Sequence, residues 1–249
     1  MNILILGGTR QARELARIAS GERGFDIVSS LAGRVREPLL PVGEVRVGGF
    51  GGPDGLREFL LQRQIAAVVD ATHPFADTIT ANAAIACRAA GIPLLRLSRP
   101  GWSAGPGDNW IRVADLAAAA ERVTELGERV FLTIGRQGVG AFAGLSEQWF
   151  LIRAIDPPEN DLPPHHELLL ARGPFTVEAE AEILAGHRVD VVVTKDSGGD
   201  DTAAKLTAAR QAGIPVLMID RPAVPPGTEV VAEVGDAVEW LRRRANNHR

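Results

Sequence analysis

The chain of 249 residues has no tyrosine, one cysteine and only two lysines, and aromatic residues make up 5% of it. Each scarcity excludes something. A single cysteine, Cys87, allows neither an internal disulfide nor a thiolate metal cage. Within an alanine-rich helical stretch it reads as a small buried apolar residue. So few aromatics leave no stacking platforms for nucleic acid, and no basic arm or basic face stands in for them. No apolar run approaches the ~18 residues of a membrane span, and no basic leader precedes Ile3-Leu4-Ile5-Leu6, so the expected location is the cytoplasm. A G-x-S-x-G elbow is also missing, and Cys87 lacks a base, which leaves nucleophilic hydrolysis without support. His165-His166-Glu167 has the composition of a metal site, but neighbouring strand residues point to opposite faces and no further ligand lies near, so no metal is expected.

What is present describes a globular protein: with 45% hydrophobic and 23% charged residues the chain can bury a sizeable core. The net charge of −4 arises in the part after residue 98, and local arginines can still hold an acidic small molecule. Of 27 basic residues, all but Lys195 and Lys205 are arginine. Where nearly every cation is written as arginine, two lysines in one motif are candidates for sites that need a compact, rotatable ammonium.

Short Val/Ile/Leu-rich runs alternate with helical patterns, which predicts parallel strands joined by crossover helices and an α/β fold. Strands are expected at 2–6, 25–31, 44–47, 66–71 and 92–97, and a second set at 129–134, 149–155, 168–172, 189–194 and 214–220. The two sets resemble each other. Ala90-Gly91-Ile92-Pro93 leads to Arg99-Pro100, and Ala212-Gly213-Ile214-Pro215 leads to Arg221-Pro222. Together with the irregular stretch 98–110, this predicts two Rossmann-like parallel-sheet domains, 1–98 for a dinucleotide and 99–249 for a substrate, facing each other across a cleft. Ligands of such sheets bind beyond the carboxyl ends of the strands, where the following motifs fall.

Ile5-Leu6-Gly7-Gly8-Thr9-Arg10-Gln11-Ala12 reads as strand, glycine turn and helix start, suited to a pyrophosphate, although Thr9 stands where the second glycine of G-x-G-x-x-G belongs. The second strand ends in Ser29-Ser30-Leu31-Ala32-Gly33-Arg34, with hydroxyls and an arginine in place of the acid that usually holds an unphosphorylated ribose; this is a setting for a 2′-phosphate. Asp70-Ala71-Thr72-His73-Pro74-Phe75-Ala76 follows the fourth strand. His73 there can donate to an anion or move a proton, and a capping role is equally open. Thr194-Lys195-Asp196-Ser197-Gly198-Gly199, with Lys205 beyond it, is the counterpart in the second half and reads as an anion site, not a P-loop. Arg136 and Arg172, at two further strand-end turns, are candidate carboxylate grips.

In this order the Ile-Leu-Gly-Gly-Thr turn, Asp70 to Ala76, Arg99-Pro-Gly-Trp102, Thr194 to Gly198 with Lys205, and Arg221-Pro222 resemble the precorrin-6A reductase family over nearly the whole chain. The resemblance implies an NADPH-dependent reduction of one macrocycle double bond of precorrin-6A, giving precorrin-6B in cobalamin biosynthesis. The partner it implies is thus a tetrapyrrole with many carboxylates. Under that reading Gly7, Gly8 and Thr9 serve the pyrophosphate, Ser30 and Arg34 the 2′-phosphate, and Thr72 the cofactor. His73, Arg136, Lys195, Ser197 and Lys205 serve the substrate side, and Asp196 and His73 are the candidate proton donors. Two alternatives stand beside it: an NADPH reductase of another acidic substrate, and an NADPH-binding sensor without turnover.

Overall fold

The structure is a computed structural model that describes residues 1–33 and 39–247. In chain order the first elements are β1 (Asn2–Leu6), α1 (Arg10–Ala19), β2 (Asp26–Leu31), β3 (Glu44–Val47), α2 (Gly52–Gln62), β4 (Ile65–Asp70), α3 (Asp77–Ala90) and β5 (Leu94–Leu97). Next come β6 (Trp110–Val113), α4 (Leu116–Val123), β7 (Arg129–Thr133), a 3-10 segment (Arg136–Phe142), β8 (Trp149–Ala154) and β9 (His166–Leu170). The chain finishes with α5 (Val177–Gly186), β10 (Val191–Lys195), α6 (Ala204–Ala212), β11 (Val216–Ile219), β12 (Glu229–Val231) and α7 (Val234–Asn247).

These elements form two units. The first comprises Met1–Pro100 together with Pro222–Arg249, and the second Gly101–Arg221. The first unit is a six-stranded parallel sheet in the order β12-β5-β4-β1-β2-β3. Read from β3, this is the 3-2-1-4-5-6 order of a doubly wound nucleotide fold, with its topological switch between β1 and β4. Alternation along the strands explains both faces. Ile3 and Ile5 join Ala67, Val69, Leu95 and Leu97 against Leu15 and Ala16 of α1 and Trp240 and Leu241 of α7. Leu4 and Leu6 point the other way, against Leu56 and Leu60 of α2 and Ala83 and Cys87 of α3. A strand covered by helices on both faces needs apolar residues at consecutive positions, hence the uninterrupted Ile-Leu-Ile-Leu.

The second unit repeats the plan with the order β6-β11-β10-β7-β8-β9, again parallel throughout. Phe131, Val192, Leu206 and Met218 form the core under α5 and α6. The repeated Ala-Gly-Ile-Pro has one local cause in both units. Gly91 and Gly213 end α3 and α6 in the left-handed region at φ 68°. Ile92 N–H then donates to Cys87 O, and Ile214 N–H to Ala209 O, which closes each helix before proline starts the next strand.

The α/β class and the strand cores match expectation; the division at residue 98 does not. The segment beyond Arg221 returns to the first unit, where β12 pairs with β5 and α7 covers the α1 face. Its physical reason is apolar area: without Ala237, Val238, Trp240 and Leu241, all nearly inaccessible, that face of β4 and β5 would meet water. A short strand was also not expected: β6 (Trp110–Val113) begins where the irregular stretch 98–110 ends. Cys87 is buried, and burial, helped by the Asp70 charge, pushes its thiol up to about 12, so it is the inert packing residue expected. Trp240→Ala should cost the first unit roughly 3–5 kcal/mol. Hydrogen exchange should show the lost protection within 1–100 and 222–247 and leave β7 and β10 protected; equal loss in both units would contradict this division.

Candidate functional site

At the carboxyl edge of the first sheet one register row runs Arg46, Ser30, Leu6, Asp70, Arg96 across five strands. In register, these side chains share one face of the sheet, that of α2 and α3. Two cations, a hydroxyl and a carboxylate therefore line the edge beyond which a ligand of this fold lies.

The turn after β1 is shaped for close approach. Gly7 N–H donates to Ser30 O at 2.9 Å, and Gly8 has φ 112°, a conformation L side chains avoid. Thr9 is the N-cap of α1: its hydroxyl accepts from Ala12 N–H at 3.1 Å and donates to Ala71 O at 2.7 Å. With its side chain engaged on both sides, Thr9 ties the β1 turn to the β4 turn.

Across the switch point sits a buried polar network. Asp70 is 1% and Arg96 2% exposed, with Arg96 NH1 2.6 Å from Asp70 Oδ1. Thr72 donates its N–H and its hydroxyl to that same oxygen and accepts from Arg96 NH1 at 2.9 Å, and Thr80 donates to Asp70 Oδ2 at 2.7 Å. Arg96 NH2 then donates to His73 O at 3.2 Å. Thr72, expected on the cofactor, is an internal member of this network. His73 is exposed and its Nδ1 accepts from Phe75 N–H at 3.2 Å, so the neutral ring carries its proton on Nε2. A cavity of about 150 Å³ opens beside the network, walled by Pro74, Asp77, Ser98 and Pro222 among others.

The second unit uses the corresponding edge differently. After β7 there is a 3-10 segment without a side-chain cap where the first unit has α1, so the helix N-terminus that serves a pyrophosphate is lacking at this switch point. Asp196, 5% exposed, accepts from Trp102 N–H at 2.8 Å and from Arg112 NH2 at 2.9 Å, and its carbonyl accepts from Arg221 Nε at 2.7 Å. A Cβ at Gly101 would lie 2.7 Å from Asp196 Oδ2, so Gly101 is required there. These contacts make Asp196 the anchor of the 101–102 backbone, with both its oxygens occupied as acceptors. Ser197 N–H donates to Lys195 O at 2.7 Å, which closes a tight turn after β10. Arg136 pairs with the exposed Glu159 at 3.0 Å.

Lys205 lies inside. It is 2% exposed, its Nζ donates to Thr202 O at 2.6 Å and sits 4.9 Å from the Trp102 ring centroid, and the Trp102 indole N–H donates to Gly199 O at 2.9 Å. Beneath them Arg153 and Glu180 form a buried pair at 2.6 Å, with Phe175 under the guanidinium. Burial pulls the Lys205 pKa down to about 7; Arg153 adds to the fall and Glu180 opposes it.

The structure thus gathers Gly7, Gly8, Thr9, Ser30, Thr72 and His73 at one edge of the first unit, and Lys195, Asp196 and Ser197 at the equivalent edge of the second. Arg34 falls outside the described residues. The residues the sequence reading passed over are Arg46, Arg96, Arg112 and Arg153, each written into a strand: Glu-Val-Arg-Val, Leu-Leu-Arg-Leu, Trp-Ile-Arg-Val and Phe-Leu-Ile-Arg-Ala. For Arg96 and Arg153 the signal was present, because an arginine buried within a strand needs a partner.

Two doubly wound parallel sheets, one with a glycine turn and capped helix at its switch point, define an α/β protein of the Rossmann class. The model of the family described as precorrin-6x reductase CbiJ/CobK matches residues 2–242, and the chain belongs to that family. It is 60% identical to a precorrin-6A reductase of Rhodococcus erythropolis over 239 residues, 96% of each chain. It is 51% identical to one of Mycobacterium tuberculosis over 241 residues, again 96% of each. A solved structure of a CobK precorrin-6A reductase superposes with TM-score 0.90 at 42% identity, covering 98% of this chain and 97% of that one. Among the described residues no helix is long and apolar enough to cross a membrane, and none of their His, Cys, Asp and Glu side chains cluster as a metal site.

The depressed Lys205 has a thermodynamic signature. Between about pH 7 and the ordinary lysine value the unfolded chain binds a proton that the folded one does not, so stability rises with pH across that window. Denaturant titrations from pH 7 to 9 should show a slope approaching about 1.4 kcal/mol per pH unit that flattens in Lys205→Met. Identical slopes in both proteins would show that Lys205 is not depressed.

Proposed function

We propose that this protein reduces one macrocycle double bond of precorrin-6A with NADPH, giving precorrin-6B. The carrying observation is the first unit's 3-2-1-4-5-6 sheet with the Gly7-Gly8-Thr9 turn at its β1/β4 switch, joined to membership of the precorrin-6x reductase family. The site fits a dinucleotide: Gly8 has no Cβ to bar a pyrophosphate, and β2 ends in Ser29-Ser30-Leu31 without the carboxylate that would repel a 2′-phosphate. When bound, the reduced nicotinamide supplies the hydride.

The chain's own residues orient, neutralise and deliver a proton. Gly7, Gly8 and the first turn of α1 hold the pyrophosphate, and Thr9 keeps that turn in register with the β4 turn. Ser30 faces the 2′-phosphate, and Arg34 is assigned there from the sequence. Thr72 and Arg96 brace the loop that presents His73. Lys195, Ser197 and Arg136 neutralise substrate carboxylates, whose number makes cations at strand ends the natural recognition device. Lys205, enclosed under Trp102, acts through that ring and the Gly199 turn it holds. His73 is the better proton source of the two candidates, since its ring is exposed while the Asp196 oxygens already accept from Trp102 and Arg112. A biosynthetic reaction drawing on the cell's NADPH pool fits the cytoplasm.

In the test, nicotinamide absorbance is followed while the purified protein is incubated with precorrin-6A and either NADPH or NADH. The expected result is substrate-dependent oxidation of NADPH, far slower oxidation of NADH, and a turnover about 10²-fold lower in His73→Asn. Tight NADPH binding without oxidation would contradict the reductase reading and favour the sensor.

A further inference from the structure

Four arginines sit in the carboxyl halves of parallel strands, and three of them have carboxylate partners: Arg96 with Asp70, Arg112 with Asp196 and Asp220, and Arg153 with Glu180. Arg46 is the exception. Among the described residues no carboxylate pairs with it; its guanidinium NH1 donates to Gly48 O at 2.6 Å and to Ser30 Oγ at 3.4 Å, and NH2 donates to Gly49 O at 2.6 Å. The Phe50 ring lies under it, 3.8 Å from centroid to guanidinium carbon. Two glycine carbonyls and an aromatic face therefore fix the plane of a cation that no carboxylate among the described residues neutralises. It is only half-buried, so the fork stays within reach of a ligand.

Its position gives that charge a use. Arg46 is the register partner of Ser30, and Ser30 is the partner of Leu6, so the guanidinium stands beside the end of β2 on the row that leads to the glycine turn. In a sheet of this order the end of the second strand meets the adenosine ribose of a dinucleotide. A planar, permanently charged fork already oriented there suits a phosphate monoester and has nothing to offer a ribose hydroxyl pair that an acid would not serve better. We propose that Arg46, together with Ser30, binds the 2′-phosphate of the adenosine ribose and sets the preference for the phosphorylated cofactor. This rests on the NADPH reading and adds to it a residue on the third strand, independent of Arg34.

Calorimetric titration of adenosine 2′,5′-bisphosphate and of 5′-AMP into the full chain tests the proposal without turnover. Arg46→Met should weaken the bisphosphate about ten- to a hundredfold and leave 5′-AMP unchanged, with Arg46→Lys intermediate because it keeps the charge and loses the fork. Unchanged affinity of Arg46→Met for the bisphosphate would overturn the proposal. So would parallel losses for both nucleotides, which would make Arg46 only the brace of the Gly48–Phe50 turn. A wild-type chain that binds both nucleotides equally would instead overturn the NADPH reading.

Discussion

The carboxyl edge of the first unit depends on one buried ion pair, Asp70 with Arg96. Neither side chain reaches water, and charges so placed are tolerated only when paired and fully hydrogen-bonded. That requirement decides the local structure. Asp70 needs donors, and Thr72 and Thr80 supply them from the following turn and from α3; Arg96 needs acceptors, and the carbonyl of His73 is one of them. The β4–α3 turn is therefore held from inside, His73 is presented outward at its tip, and Thr9 extends the same tie to the glycine turn through Ala71 O.

The second unit shows how one sheet plan is put to two uses. Five of its strands repeat the order of the first unit, with β6, from ahead of β7 in the chain, in the place that β12 holds there, yet the crossover after β7 begins as a 3-10 segment, without a capped α-helix. What takes the place of a dinucleotide turn is a set of ion pairs: the buried Asp196 with the exposed Arg112, and the buried pair Arg153 with Glu180 beneath Lys205 and Trp102. Burial lowers the pKa of Arg153 from a high starting value, whereas it draws the deeply buried Lys205 down to about 7.

Much of this was legible because parallel strands under two helical layers leave a plain signature. Runs such as Ile3–Leu6 and Val191–Val193 have no polar alternation, and the paired Ala-Gly-Ile-Pro segments mark the same helix end in each unit. The glycine turn, Ser30, the Asp70 and Thr194 motifs and the family resemblance followed from those positions. Other features were not legible. β6 and β12 are four and three residues long, too short to stand out from a proline- and glycine-rich background. The return of the chain after Arg221 depends on which sheet has an uncovered face, which no local pattern states. Yet the two Arg-Pro pairs bracket the two crossings, at Pro100/Gly101 and Arg221/Pro222. The strand arginines were visible as residues, but their partners come from other strands and helices, so their roles appeared only with the register.

The most direct test of this account is the Asp70→Asn substitution, which leaves Arg96 charged and without its carboxylate in the interior, a change worth roughly 3–5 kcal/mol. Hydrogen exchange of residues 70–80 and calorimetric binding of NADPH are measured together on the wild-type and substituted chains. Lost protection across the β4–α3 turn and at least tenfold weaker NADPH binding are expected, with β7 and β10 of the second unit unaffected. Full protection with unchanged NADPH affinity would contradict it, because the turn would then hold its shape without the pair on which the edge is said to depend.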